Sequence, residues 1–178
     1  MDDLAASVRD ATADDLDPIN DLWTRSRIVY HRGFVPDGVL ADPARAARRR
    51  SFLARALLSD DHTVICAGDH DQLAGFAVIG PCEPSPDPDP QITSELHSLY
   101  VDPGSFRQRI GTSLHSACIE AWRSLPATAA RLWVMEYNGR ARAFYASKGW
   151  EPDGHHRPDN PAVLGYRLTI SGQSQNGS

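Results

Sequence analysis

Lysine is almost missing from this chain. Lys148 is the only one among 18 basic residues, and the rest are arginine. With so many alanines, that bias reads as genome base composition rather than as a functional signature. Cysteine is scarce as well. Cys66, Cys82 and Cys118 make an odd number with no C-x-x-C pair, which argues against a disulfide framework and fits reduced thiols in a cytosol. No apolar run approaches the roughly 18 residues of a membrane span. The opening "MDDLAASVRD" is acidic and has no apolar core, so a signal peptide is not expected. A basic excess is also lacking. The net charge of -5 argues against a general nucleic-acid binder, and "RAARRR" (45–50) reads as a solvated helix face. These absences predict a cytoplasmic protein with neither a membrane nor a nucleic acid as partner.

What remains is globular in character. A hydrophobic share of 41% and a charged share of 23% match ordinary domains, and 178 residues suffice for one domain with a real core. "SVRDAT" (7–12) suits a short strand, with Thr12 and Asp14 as helix-start signals. Leu16, Ile19, Leu22, Trp23 and Ile28 then recur at helical spacing up to about Tyr30. "HRGFVPDGVLADP" breaks that pattern and predicts a loop or a very short helix. A second helix covers 43–60, with Pro43 in its first turn and Phe52, Leu53, Ala56 and Leu57 as its buried stripe.

Three strand-like runs follow at 62–69, 72–80 and 92–101, the first two joined as a hairpin by "GDHDQ". "PCEPSPDPDPQ" (81–91) is too proline-rich for a sheet interior and reads as an exposed connection. A helix from Ile110 to about Leu125 buries Ile110, Leu114, Ala117, Cys118 and Ala121. A strand at 129–136, a helix from Asn138, and two strands around "RPDNP" complete the order β-α-α-β-β-β-α-β-α-β-β. The tail at 171–178 is polar and glycine-rich, with disorder expected. The pattern predicts one α/β (α+β) layer domain over 7–170.

Two segments carry chemistry. "ELHSLYVDPGSFRQRIGTSLHSACIEAW" runs from a strand through a loop into a helix near Ile110–Gly111. Unpaired backbone N–H groups at such a start favour phosphate, and Arg107 and Arg109 add charge. It is not a Walker loop, because the Gly-Lys-Ser/Thr ending is missing. In "NGRARAFYASKGW" (138–150), Asn138 is placed to cap a helix and Gly149 to close it with Trp150 folding back. Tyr145 needs a further reason.

Together these segments resemble the acetyl-CoA-binding half of the GCN5-related N-acetyltransferase family. The second is similar to N-x-R-A-x-x-F-Y-x-x-x-G-F/W through Asn138, Arg140, Ala141, Phe144, Tyr145, Gly149 and Trp150. "IVYHRGFVPDGVLAD" also looks like the substrate-side loop of many bacterial members. The resemblance implies a mixed, twisted sheet of about seven strands with four helices. In that fold a bulged fourth strand splays from the fifth, and acetyl-CoA lies in the gap. The backbone of Leu99, Tyr100 and Val101 would hold the pantetheine arm. The loop Arg107, Gln108, Arg109, Ile110, Gly111 and Thr112 would cradle the pyrophosphate, and Asn138 would also touch the cofactor. Tyr145 would face the thioester sulfur as general acid. Tyr30, His31 and Arg32, together with His97, would belong to the substrate side. A homodimer is among the assemblies common in the family.

The loop departs from the family's Q/R-x-x-G-x-G/A at two places, with Phe106 for the leading polar residue and Arg109 for the first glycine. Retained binding then requires Arg109 to adopt a glycine-like backbone, at a cost of roughly 1–2 kcal/mol. Amine attack on a thioester also needs a proton acceptor. Alternation along "SELHSLYV" puts Glu95 and His97 on one face. Both are base candidates, and Glu95 is preferred because similar family members are often acidic there. His155-His156 alternate in a strand and lack further ligands, so no metal is expected. The function implied is direct transfer from acetyl-CoA to a primary amine of a small molecule or peptide. The alternative is an inactive acyl-CoA-binding or sensing module.

Overall fold

The computed structural model describes residues 7–69, 71–84 and 88–170. Its elements follow the hydrophobic periods of the chain. They are β1 (Val8–Asp10), α1 (Leu16–His31), a one-turn α2 (Asp37–Leu40) and α3 (Pro43–Leu58), then β2 (Thr63–Asp69), β3 (Gln72–Gly80) and β4 (Ile92–Val101). After them come α4 (Ile110–Arg123), β5 (Ala129–Met135), α5 (Gly139–Ser147), β6 (Glu151–Arg157) and β7 (Asn160–Thr169). The strand order is β1-β2-β3-β4-β5-β7-β6. β4 and β5 run parallel, whereas β1–β2, β2–β3, β5–β7 and β6–β7 are antiparallel. The sheet is therefore mixed, as expected.

The differences from expectation are local. The segment after α1 holds the very short helix α2, one of the two expected forms, whereas α3 stops at Leu58, two residues short of the expected end. β7 begins at Asn160 because Arg157 pairs with Asn160, which closes the hairpin on Pro158 and Asp159. The expected tail at 171–178 and part of the proline-rich connection (85–87) lie outside the described residues.

The chain divides into two compact units, Met1–Ile79 with Ser98–Cys118, and Gly80–His97 with Ile119–Ser178. In the first, the stripes of α1 and α3 meet β2 and β3 around Ile19, Leu22, Trp23, Leu53, Phe76 and Val78. Trp23 is the hub, with ring centroids 5.5 Å from Phe76, 5.9 Å from Tyr100 and 6.4 Å from Phe52. Such aromatic pairs add about 0.5–1.5 kcal/mol beyond the area they bury.

In the second unit, Trp122 and Trp150 are almost fully buried, 6.1 Å apart and edge-on. A buried indole N–H needs an acceptor. Trp122 Nε1 donates to Ser94 Oγ at 2.6 Å, and Ser94 Oγ donates to the Gly80 carbonyl at 3.0 Å. That chain fixes Ser94 on the apolar face of β4 and leaves Glu95 for the other.

Candidate functional site

The loop before α4 lies in the first unit. A 3-10 turn at Pro103–Ser105, capped by Asp102 through Gly104 N–H at 3.1 Å, leads into it. Arg107 stands at φ 67° and Arg109 at φ 60°. Left-handed backbone is uncommon outside glycine, and it persists where surrounding structure enforces it, often at functional sites. Arg109 thus takes the glycine-like conformation that the family loop requires. Ser113 N–H donates to the Arg109 carbonyl at 3.0 Å. The amides of Ile110, Gly111 and Thr112 sit one turn earlier, where a helix offers no intrahelical acceptor. Successive N–H groups in a turn of this kind form an anion-binding concavity. The residues present therefore fit a pyrophosphate.

Phe106 has a packing role in place of a polar one. Its ring lies 5.6 Å from Tyr30, which lies 6.1 Å from Tyr100. Tyr30 and His31 form the last turn of α1, and exposed Arg32 follows as its C-cap. Tyr30 Oη donates to the Val101 carbonyl at 3.2 Å, so α1 engages the end of β4 directly. His31 is buried, and burial with the nearby Arg27 charge pushes its pKa down to about 4, which keeps the ring neutral. Gly75, which the sequence reading missed, lets β3 approach here. A Cβ there would lie 2.8 Å from the Tyr100 carbonyl oxygen and 3.0 Å from an Ile110 methyl.

Asn138 and Tyr145 lie in the second unit. Asn138 Oδ1 accepts the Ala141 N–H at 3.1 Å and caps α5. Gly149 closes the helix at φ 87°, and Trp150 N–H reaches the Tyr145 carbonyl at 3.1 Å. The Tyr145 ring, 9% exposed, is held edge-on between Phe144 (5.4 Å) and Trp150 (6.1 Å).

The ladder between β4 and β5 starts irregularly at Ile92/Ser94 and ends at Leu96↔Leu132. The next residues, His97 and Trp133, continue their strands without pairing with each other. Glu95 and His97 share a face, with His97 Nδ1 3.4 Å from Glu95 Oε1. His97 Nε2 lies 3.0 Å from the Pro81 carbonyl, which can only accept. Nε2 therefore carries a proton, and only the doubly protonated ring would donate to Glu95 as well. Glu95 Oε2 accepts the Glu83 N–H at 3.2 Å.

Glu95 lines a cavity of about 240 Å³ with Glu83, Arg131, Trp133, Arg157 and Asp159. Apart from Glu95, none of these came from the sequence reading. Arg131 had a visible signal: it is a charge inside the otherwise apolar strand "AARLWVM".

The cysteines are poor nucleophiles. Burial pushes Cys66 and Cys118 up to about 12, and burial with the Glu95 charge pushes Cys82 up to about 11. His155 and His156 are exposed and engage Asp153 and the Pro161 carbonyl. Among the described residues no three His, Cys, Asp or Glu side chains cluster as a metal site. No described helix is long and apolar enough to cross a membrane.

The mixed seven-stranded sheet, with β4 and β5 parallel, is the architecture that the resemblance implies. Residues 21–150 match the model of the Acetyltransferase (GNAT) family, and the chain belongs to that family. Three solved structures illustrate the fold. The PaiA N-acetyltransferase of Thermoplasma acidophilum, solved with coenzyme A, superposes with TM-score 0.78 at 16% identity, covering 93% of this chain and 99% of that one. The yncA protein of Salmonella typhimurium, solved with its cofactor acetyl-CoA, gives TM-score 0.69 at 17% identity over 97% and 98%. A ribosomal-protein-alanine N-acetyltransferase of Brucella melitensis gives 0.69 at 22% over 92% and 99%. No curated protein sequence matches this chain.

Proposed function

We propose that the protein transfers the acetyl group of acetyl-CoA directly to a primary amine of a small molecule or peptide, in the cytoplasm. On this reading residues 7–170 act as one transferase domain. The observation that carries it is the loop Arg107–Thr112. Its two left-handed arginines remove the steric objection raised by the missing glycine, and its helix start offers the pyrophosphate free amides. The backbone of Leu99, Tyr100 and Val101 would receive the pantetheine arm, with Asn138 as a further contact.

The chain's own groups then have separate tasks. Glu95, with His97 beside it, takes a proton from the acceptor ammonium, so that the nitrogen lone pair is free to attack. Backbone N–H groups of β4 stabilise the oxyanion as the C–N bond forms. Tyr145 protonates the sulfur as the C–S bond breaks, and it is restored by the second proton leaving nitrogen. The products are an acetamide and free coenzyme A, and no cysteine is acylated, in keeping with the raised thiol pKa values.

Calorimetric titration with acetyl-CoA and with CoA tests the first step, and thiol release across an amine panel tests the second. Micromolar binding with amine-dependent thiol release is the expected outcome. Binding without release from any amine would favour an acyl-CoA sensor, and no binding at millimolar concentration would overturn the reading.

A further inference from the structure

Arg131, which lines the cavity beside Glu95, carries a donor without an acceptor. Arg131 is only 4% exposed, yet its Nη2 has no hydrogen-bond partner among the described residues. The rest of the guanidinium is held in place. Its Nε donates to Asp153 Oδ2 at 3.2 Å, and its Cζ sits 5.2 Å from the Trp133 ring centre. Asp153 can lie there only because residue 165 is glycine, since a Cβ would come within 2.4 Å of Asp153 Oδ1.

Glu95 and Arg131 are directly paired residues of neighbouring parallel strands. No ion pair joins them among the described residues, although cross-strand opposite charges ordinarily attract. Each is held by another group, Glu95 by the Glu83 N–H and Arg131 by Asp153. Two opposite charges therefore line one small cavity unpaired with each other.

We infer that this cavity takes the acceptor, and that the acceptor is an amine that also bears a carboxylate, such as a free amino acid. Its carboxylate is received by the Arg131 guanidinium and its nitrogen by Glu95. This rests on the transferase reading above for the role of Glu95. A purely cationic amine would leave the buried guanidinium N–H unpaired. A purely anionic guest would meet the carboxylates of Glu83, Glu95 and Asp159, while Arg157 is already engaged by Glu83 and Asp159. A zwitterion satisfies both sides, and a carboxylate makes a stronger, charge-assisted bond to arginine than a neutral carbonyl does. The volume is below the roughly 300–1,000 Å³ of drug-sized pockets, which suits a guest of amino-acid size. Trp133, Pro84 and Pro158 offer its carbon skeleton an apolar wall.

The test uses the whole protein and matched acceptors: glycine, β-alanine, γ-aminobutyrate and phenylalanine, each beside its carboxamide. Two readouts run in parallel, thiol release with acetyl-CoA and calorimetric binding of the acceptor alone. At least about a tenfold preference in kcat/KM or Kd for one or more carboxylates over the matching amide is expected. Arg131→Gln should abolish the preference chiefly through KM, and Arg131→Lys should restore part of it. If Arg131→Gln fails to fold, the wild-type panel decides alone. Carboxylate-selective binding without turnover would sustain the cavity's assignment while the transferase reading falls. Turnover with equal use of acid and amide would sink the assignment and leave the transferase reading intact. Binding of neither class would overturn the assignment too.

Discussion

The two compact units present their candidate groups in different ways. The first offers backbone: amides at the start of α4, presented by a loop whose arginines are held in left-handed conformation. The second offers side chains: Glu95, His97 and Arg131, each fixed by a neighbouring polar group. Backbone recognition tolerates changes of side chain, and the Phe106 and Arg109 departures leave the amides of Ile110, Gly111 and Thr112 at the start of α4. Side-chain recognition does not, since a single deletion leaves a buried charge without its partner.

The sharpest way to break this comparison is at Glu95. Glu95→Gln should lower kcat/KM by about 10²–10⁴ while calorimetry shows acetyl-CoA binding unchanged. Equal losses in binding and turnover would place Glu95 in cofactor binding instead. Tyr145→Phe should cost less, about tenfold to a hundredfold in kcat, because a thiol near its ordinary pKa of about 8.5 leaves with modest help. Steady-state rates with a saturating amine would reveal it, and an unchanged kcat would remove Tyr145 from the acid role.

The first unit should also carry a pH signature. His31 has a folded pKa of about 4, below its ordinary 6.5, so the unfolded chain binds the proton first as the pH falls. Stability is full above pH 6.5 and is lost progressively down to about 4. Melting curves across that range should flatten in His31→Gln relative to the wild type. The smallest effect should come from Arg109→Gly, which relieves the left-handed backbone. It should raise stability by about 1–2 kcal/mol, or Tm by roughly 2–8 °C. Acetyl-CoA affinity should fall by less than about threefold. A tenfold loss of affinity would instead mean that the guanidinium, and not the backbone, binds the phosphate.

Much of the fold was readable in the chain. Helical spacing in "LDPINDLWTRSRIVY", alternation in "ITSELHSLYV" and the Asn138 and Gly149 caps gave elements that the structure reproduces within one to three residues. Phe106 and Arg109 were visible as departures, but their consequence was not. Whether a residue tolerates φ 60° depends on what holds the loop, and here the Tyr30–Phe106 contact, distant in sequence, is part of that hold.

Sequence by itself determined the period of each element, the capping of α5, the family pattern around Asn138 and Tyr145, and the shared face of Glu95 and His97. These are local properties, set within a few residues by backbone geometry and side-chain type. Only the tertiary structure decided that Arg131 stands beside Glu95, that Asp153 reaches over Gly165 to hold it, and that Glu83 and Asp159 complete the cavity. Those residues come together through strand register and hairpin closure. Register is a property of paired strands, so no single stretch of the chain contains it.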